Sequence, residues 1–110
     1  MKKTMLAILF VVLFSSNVYA ENKKPTYYDF CKELGEVSGL VMLARQVGVP
    51  ITALLDDIRK QDVRHQKYMV PIVYSAYKYP RHDSQEYIDE LKTEFNNKVF
   101  VECISADPKW

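Results

Sequence analysis

The sequence between residues 27 and 47, YYDFCKELGEVSGLVMLARQV, decides the fold because it predicts a long helix. Its apolar residues recur in steps of three and four, which is the spacing of one helix face: Tyr27, Phe30, Cys31, Leu34, Val37, Val41 and Ala44. Gly35, Ser38 and Gly39 make one side of this helix thin. Each glycine costs about 1 kcal/mol of helix propensity unless another backbone packs against it. We therefore expect a second helix to cross this one closely.

Two more helices are predicted after the first. Gly48 is placed to end the first helix in the left-handed conformation, and Pro50 suits the first turn of a short second helix. The second helix has an apolar face at i, i+3, i+4 and i+7: Ile51, Leu54, Leu55 and Ile58. Asp62 can cap a third helix that runs toward Tyr79. Pro71 predicts either a kink in this third helix or a start near Met69.

A fourth helix is predicted from Asp83 and Glu86, which have the spacing of a capping box. Its apolar stripe reaches a cysteine: Ile88, Leu91, Phe95, Val99 and Cys103. We prefer a continuous helix, but Asn96-Asn97 leaves an alternative in which the helix ends and residues 98–104 are extended. Residues 27–104 thus form a single helical domain. Residues 105–110 form a C-terminal tail in which Trp110 either packs back or projects.

Residues 1–20 have the order of a secretory signal peptide. Lys2 and Lys3 precede the apolar run Leu6–Phe14, and Val18-Tyr19-Ala20 is a small-x-small cleavage site. The apolar run is too short for a membrane span, which needs about 20 residues. We therefore expect export to the periplasm and no membrane span after cleavage. The mature chain would begin with a flexible leader at residues 21–26.

The mature chain contains two cysteines, Cys31 and Cys103, which export would carry into an oxidising compartment. We expect one disulfide between the first and last helices, which contributes about 4 kcal/mol by restricting the unfolded chain. Redox-active cysteines usually form Cys-x-x-Cys, and this chain lacks that spacing. His65 and His82 are isolated, so no pair has metal-ligand spacing. We predict neither a metal nor another cofactor.

The charge balance argues against nucleic acid as a partner. Removal of Lys2 and Lys3 with the signal peptide takes the formal net charge from +1 to −1, whereas nucleic-acid-binding domains usually carry a basic stripe. The segment from Ala44 to Val49 resembles the turn of a helix-turn-helix motif. However, the helix that would read DNA carries Asp56 and Asp57, which phosphates repel. The lack of a cationic cluster also argues against binding to anionic lipid.

No catalytic residue is predicted because candidate nucleophiles and bases are scattered without a motif. His65 and His82 lie in polar surroundings, and the carboxylate pairs lie on the polar sides of predicted helices. We therefore predict that the protein is not an enzyme.

Tyrosine is concentrated between residues 68 and 79. Tyr68 and Tyr79 fall outside the apolar stripe of the third helix. Together with Arg81 and His82 they predict a surface for a protein partner, because tyrosine is enriched at interfaces. Core filling by these tyrosines is the alternative.

Several features together resemble short exported proteins of Gram-negative bacteria and their prophages, which have no assigned activity. These features are the signal peptide, the cysteine in the first mature helix, the Arg-Gln-x-Gly corner Arg45–Gly48, Ala76-Tyr77 near Pro80, and the segment Phe95–Cys103. In architecture the chain is also similar to the small periplasmic acid-stress chaperones of enteric bacteria. That similarity implies dissociation of a dimer and client binding at low pH.

These observations predict an all-α, compact bundle of about four helices with one disulfide. The predicted function is a small non-catalytic periplasmic binding protein that modulates another envelope or phage protein. The alternative is an acid-stress or holdase-type periplasmic chaperone. The oligomeric state is left open.

Overall fold

Four helices make up the part of the chain that the computed structural model describes, residues 26–106. They are α1 (Tyr27–Val47), α2 (Ile51–Arg59), α3 (Val63–Tyr77) and α4 (Gln85–Ser105), and this part contains no strand. The predicted all-α fold of about four helices is confirmed. The predicted signal peptide, residues 21–25 of the leader and residues 107–110 of the tail lie outside the described residues.

The first helix begins and ends at residues whose chemistry suits a cap. Thr26 and Asp29 form a capping box, in which the Thr26 hydroxyl accepts from the Asp29 N–H and the Asp29 carboxylate accepts from the Thr26 N–H. Hydrogen bonding by Thr26, chiefly from its backbone N–H, holds the pKa of the Asp29 carboxyl below its usual range. Gly48 ends the helix at φ 94°, in the left-handed region, as predicted.

The third helix continues through its proline. Asp62 caps it as predicted, accepting from the His65 N–H at 2.8 Å. The expected alternative of a start near Met69 is wrong, and the helix ends at Tyr77, two residues before Tyr79. Buried side chains on both sides of Pro71 explain this, because their packing outweighs the loss of one backbone donor: Met69, Ile72, Val73 and Ala76.

The fourth helix starts one residue later than the predicted cap and is continuous. Its N-cap is Ser84, not Asp83, because the Ser84 hydroxyl accepts from the Tyr87 N–H at 3.4 Å. The helix runs through Asn96-Asn97 to Ser105, so the preferred prediction is confirmed and residues 98–104 are not extended. Burial of Phe95 and Val99 on each side of the asparagine pair stabilises the helix there.

The central helix of the bundle is α1. It packs against α3 and along α4, whereas α2 packs mainly on α3. The helices α1 and α4 are antiparallel and approach closely at the two glycines. A Cβ added to Gly35 would lie 2.6 Å from Oδ1 and 2.9 Å from the carbonyl oxygen of Asn96; at Gly39 it would lie 3.3 Å from the Lys92 carbonyl oxygen. The predicted close crossing is confirmed.

The disulfide joins Cys31 near the start of α1 to Cys103 near the end of α4, with the Cα atoms 5.5 Å apart. The predicted pairing of the first and last helices is confirmed. Between this end and the Gly48 end, apolar side chains from all four helices form the core. Its buried members are Val41, Met42, Ile58, Met69, Ile72, Val73, Ala76, Leu91, Phe95 and Val99.

Substitution of the two helical glycines should separate the effect of the close crossing from that of helix propensity. Gly35→Ala places its methyl group against the Asn96 backbone, so we expect a loss of about 1–3 kcal/mol in the free energy of unfolding. Gly39→Ala is the matched control because both variants gain the same propensity and its neighbours are farther away. Urea unfolding of the oxidised protein measures both. A Gly35→Ala protein as stable as Gly39→Ala would contradict the close crossing.

Candidate partner-binding surfaces

The turn that the sequence predicts as a partner surface is fastened to the end of α1 by one buried amide. Gln46 is 2% exposed. Its Nε2 donates to the Pro80 carbonyl oxygen at 2.9 Å, and its Oε1 accepts from the His82 N–H at 2.8 Å. Both ends of the amide are therefore satisfied, which a buried polar group requires. The Gln46 side chain of α1 thus bonds the turn between α3 and α4 at two points.

Two arginines add to this attachment. Arg45 Nε donates to the Tyr79 carbonyl oxygen at 2.9 Å, and Arg81 Nε donates to the Gln46 carbonyl oxygen at 3.1 Å. The Arg81 guanidinium also covers Gly48, since a Cβ there would lie 3.0 Å from its Nη2. A positive charge at a helix C-terminus is favourable. We call these contacts between residues 45–48 and 79–82 the corner clasp.

Tyr79, Arg81 and His82 lie together in this turn, and each has contacts within the protein. The half-buried Tyr79 ring packs edge-to-face on Phe95, with centroids 5.7 Å apart. The His82 ring packs on Tyr87, with centroids 4.3 Å apart. The Arg81 side chain is engaged in the corner clasp. These residues have a structural role in the turn, and their role in binding a partner stays a prediction.

Tyr68 lies apart from the other three predicted residues. Its ring packs edge-to-face on Phe30, near the start of α1, with centroids 5.2 Å apart. Arg45, which contacts Tyr79, lies about four turns, or roughly 22 Å, farther along the same helix. The four predicted residues therefore do not form one surface.

An exposed apolar stripe on α1 was not predicted from the sequence. Val37 is 40%, Leu40 56% and Val47 60% exposed, and Leu43 is half-buried. Leu40, Leu43 and Val47 have the i, i+3, i+7 spacing of one helix face. We call these four residues the α1 stripe.

The sequence signal for this stripe is the absence of charge from residues 37–44. A helix that is apolar on all sides is normally covered on all sides. The neighbours α3 and α4 cover two sides of α1, and the described chain leaves the outer side open. Helical spacing had placed Val37 on the buried face. That expectation is wrong, because Val37 lies toward the outer side.

A smaller apolar site lies between α3 and α4, which both pack on α1. It is a cavity of about 100 Å³ lined by Pro71, Ile72, Ser75, Phe95, Lys98, Val99 and Glu102. Ile72, Phe95 and Val99 are already buried. A partner would therefore gain less apolar burial here than on the α1 stripe.

Four acidic side chains lie together on α4. The carboxylates of α4 line an open surface: Glu86, Asp89, Glu90 and Glu94. No group of three His, Cys, Asp or Glu side chains between residues 26 and 106 is placed to hold a metal ion. In the same part of the chain, no helix is both long and apolar enough to cross a membrane.

Comparison of the chain with protein-family models, with curated proteins and with solved structures finds no match. The resemblance to exported single-disulfide helical proteins therefore stays a prediction.

Gln46→Leu should destabilise the protein strongly, although the leucine side chain is nearly the same size as that of glutamine. The change leaves the Pro80 carbonyl and the His82 N–H without their partner, so we expect a loss of about 2 kcal/mol in the free energy of unfolding. Gln85→Leu is the control, because Gln85 is exposed and bonds only Asp89 on its own helix. Urea unfolding compares the two. Equal stabilities would contradict the role given to Gln46.

Tyr77 provides a pH-dependent contact beside the corner clasp. Its hydroxyl donates to the Val49 carbonyl. Burial raises the pKa of Tyr77 above its ordinary value of 10.0, and the Arg45 guanidinium, 5.3 Å from the ring centroid, opposes this effect. The folded state therefore favours the protonated phenol. Its contribution is fully present below pH 10 and is lost as the pH rises through the folded-state pKa.

Tyr77→Phe should lower the free energy of unfolding by about 1 kcal/mol at pH 8, the worth of one hydrogen bond. The difference from the native protein should shrink as the pH rises above 10, because the native phenol then ionises. Urea unfolding of both proteins between pH 8 and pH 11 measures this difference. A difference that stays constant over the range would contradict the shifted pKa.

Proposed function

We propose that this protein is a small non-catalytic binding protein of the periplasm, which attaches through the α1 stripe to another protein of the cell envelope or of a phage. The exposure of Leu40, on the charge-free segment 37–44 of the central helix, and of Val47 on the same helix carries this proposal. Burial of apolar surface contributes about 25 cal/mol per Å². Contiguous exposed apolar side chains with polar neighbours are typical of protein-binding sites.

The attachment of α1 at both ends favours binding, because it holds the α1 stripe in a fixed position. The disulfide fixes the start of α1 to α4, and the corner clasp fixes its end to the turn after α3. A preordered surface loses little conformational entropy when it binds. Exposed Glu33 and Glu36 lie just before the stripe and supply a polar rim, as protein interfaces commonly have.

The periplasmic location in this proposal is supported by the order of residues 1–20. The disulfide agrees with it, because disulfides persist mainly in oxidising compartments.

Affinity capture with matched variants tests the proposal. Leu40→Asp/Val47→Asp places two charges on the α1 stripe. Val63→Asp/Val101→Asp places two charges on other helices, at residues that are 80% and 56% exposed. Each protein is used to capture partners from periplasmic and membrane extracts, and mass spectrometry identifies them. Circular dichroism first checks that both variants are as helical as the native protein.

We expect one or a few proteins to be retained by the native protein and by the Val63/Val101 variant, and lost by the Leu40/Val47 variant. Equal retention by all three would overturn the assignment to the α1 stripe. Light scattering identifies self-association, which would make a second copy the partner. Retention of many unrelated proteins near pH 3, with none at neutral pH, would replace this proposal with the chaperone alternative.

A further inference from the structure

An apolar cavity lies in the crevice between α3 and α4. Both helices pack on α1 rather than closely on each other, which leaves space between them. The cavity has a volume of about 100 Å³, and its apolar lining consists of Pro71 and the buried side chains of Ile72, Phe95 and Val99. A cavity of about 150 Å³ holds one benzene ring. The space between α3 and α4 therefore accepts an apolar group of a few carbon atoms.

Three polar side chains line the same cavity, namely Ser75 from α3 and Lys98 and Glu102 from α4. Lys98 and Glu102 are exposed and lie one helical turn apart. Lys98 precedes Glu102, which is the less favourable order for an ion pair within a helix, and neither residue forms an ion pair within residues 26–106. The Lys98 ammonium lies 5.9 Å from the centroid of the Tyr79 ring instead. The cavity thus offers a cation, an anion and a hydroxyl group beside an apolar interior.

We propose that this cavity binds a free aliphatic amino acid, that is, a small zwitterion with a short apolar side chain. The ligand's carboxylate pairs with the Lys98 ammonium and accepts a hydrogen bond from the Ser75 hydroxyl. Its ammonium group pairs with the Glu102 carboxylate, and its side chain enters the cavity. Sites for small molecules are commonly built in this way, with an apolar lining and a few polar groups that fix the orientation of the ligand.

The size of the cavity favours a ligand as small as an amino acid. Pockets for larger ligands usually have volumes of at least about 300 Å³, about three times the volume between α3 and α4. A ligand with a single charge would leave either Lys98 or Glu102 without a partner. A zwitterion matches both charges at once.

This inference goes beyond the proposed function, because no residue of the α1 stripe lines the cavity and the ligand is a small molecule. Capture of a protein by the α1 stripe and binding of an amino acid between α3 and α4 are measured independently. Failure of one proposal therefore leaves the other standing.

Nuclear magnetic resonance titration of the oxidised protein, expressed from the full chain, tests the proposal. The first probe is L-leucine. Isocaproate has the same aliphatic group but lacks the amino group, isoamylamine lacks the carboxylate, and glycine lacks the side chain. The chemical shifts of the backbone amides of Ser75, Val99 and Glu102 report binding at the cavity. All four titrations are made at the same pH and ionic strength.

We expect saturable shifts with L-leucine in the millimolar range, because exposed ion pairs are weak. Isocaproate, isoamylamine and glycine should each bind about fivefold more weakly or worse, because each lacks one of the three contacts. Absence of saturable shifts with L-leucine would overturn the proposal. Equally tight binding of isocaproate or isoamylamine would also overturn it, because a single charge would then be enough.

Two matched variants test the role of the anion. Glu102 and Glu90 are both exposed on α4, and only Glu102 lines the cavity. Glu102→Gln should weaken the binding of L-leucine about fivefold without weakening that of isocaproate, whereas Glu90→Gln should leave both unchanged. Equal effects of the two substitutions on L-leucine would contradict the proposal. Circular dichroism checks that the helices are retained, and the comparison of probes on the native protein depends on neither variant.

Discussion

The contact between α1 and α4 is the constraint on which the rest of the structure depends. Gly35 and Gly39 let the two backbones approach, and any side chain at Gly35 would meet the Asn96 backbone. The disulfide closes this helix pair at one end, and at the other end the Gln46 amide holds the turn that leads into α4. Small domains bury a limited share of their surface. The two attachments at opposite ends of this helix pair are therefore important for the stability of the domain.

The same contact determines which side of α1 stays exposed. The glycine side faces α4, and the side that carries Val41 faces the core with α3. Since the described chain offers no further helix to cover α1, Leu40 and Val47 lie in solvent. The candidate binding surface is thus a consequence of how the fold is assembled. It lies on the central helix, which the disulfide and the corner clasp attach at its two ends.

Helical spacing predicted the four helices, and the thin side of α1 predicted its close neighbour, because both patterns are local in the sequence. The hydrogen bonds of the corner clasp could not be predicted in this way, because they join residues that are distant in the sequence. An arginine and a histidine in a polar turn look like surface residues, and nothing in their neighbourhood indicates that Gln46, far away in the chain, binds this turn. Val37 was misplaced for a related reason. When a helix is apolar on every side, spacing alone does not select the face that is buried.

Under the proposed function, the size of the α1 stripe limits which partners could bind it. The stripe runs from Val37 to Val47, about 15 Å along the helix, and offers four side chains. Stable complexes bury about 1,200–2,000 Å² in total, more than two such stripes facing each other provide. A partner that binds tightly must therefore also contact the polar surroundings of the stripe, including Glu33 and Glu36. The apolar centre then supplies binding energy, while these carboxylates select a partner with positive charge at the matching edge.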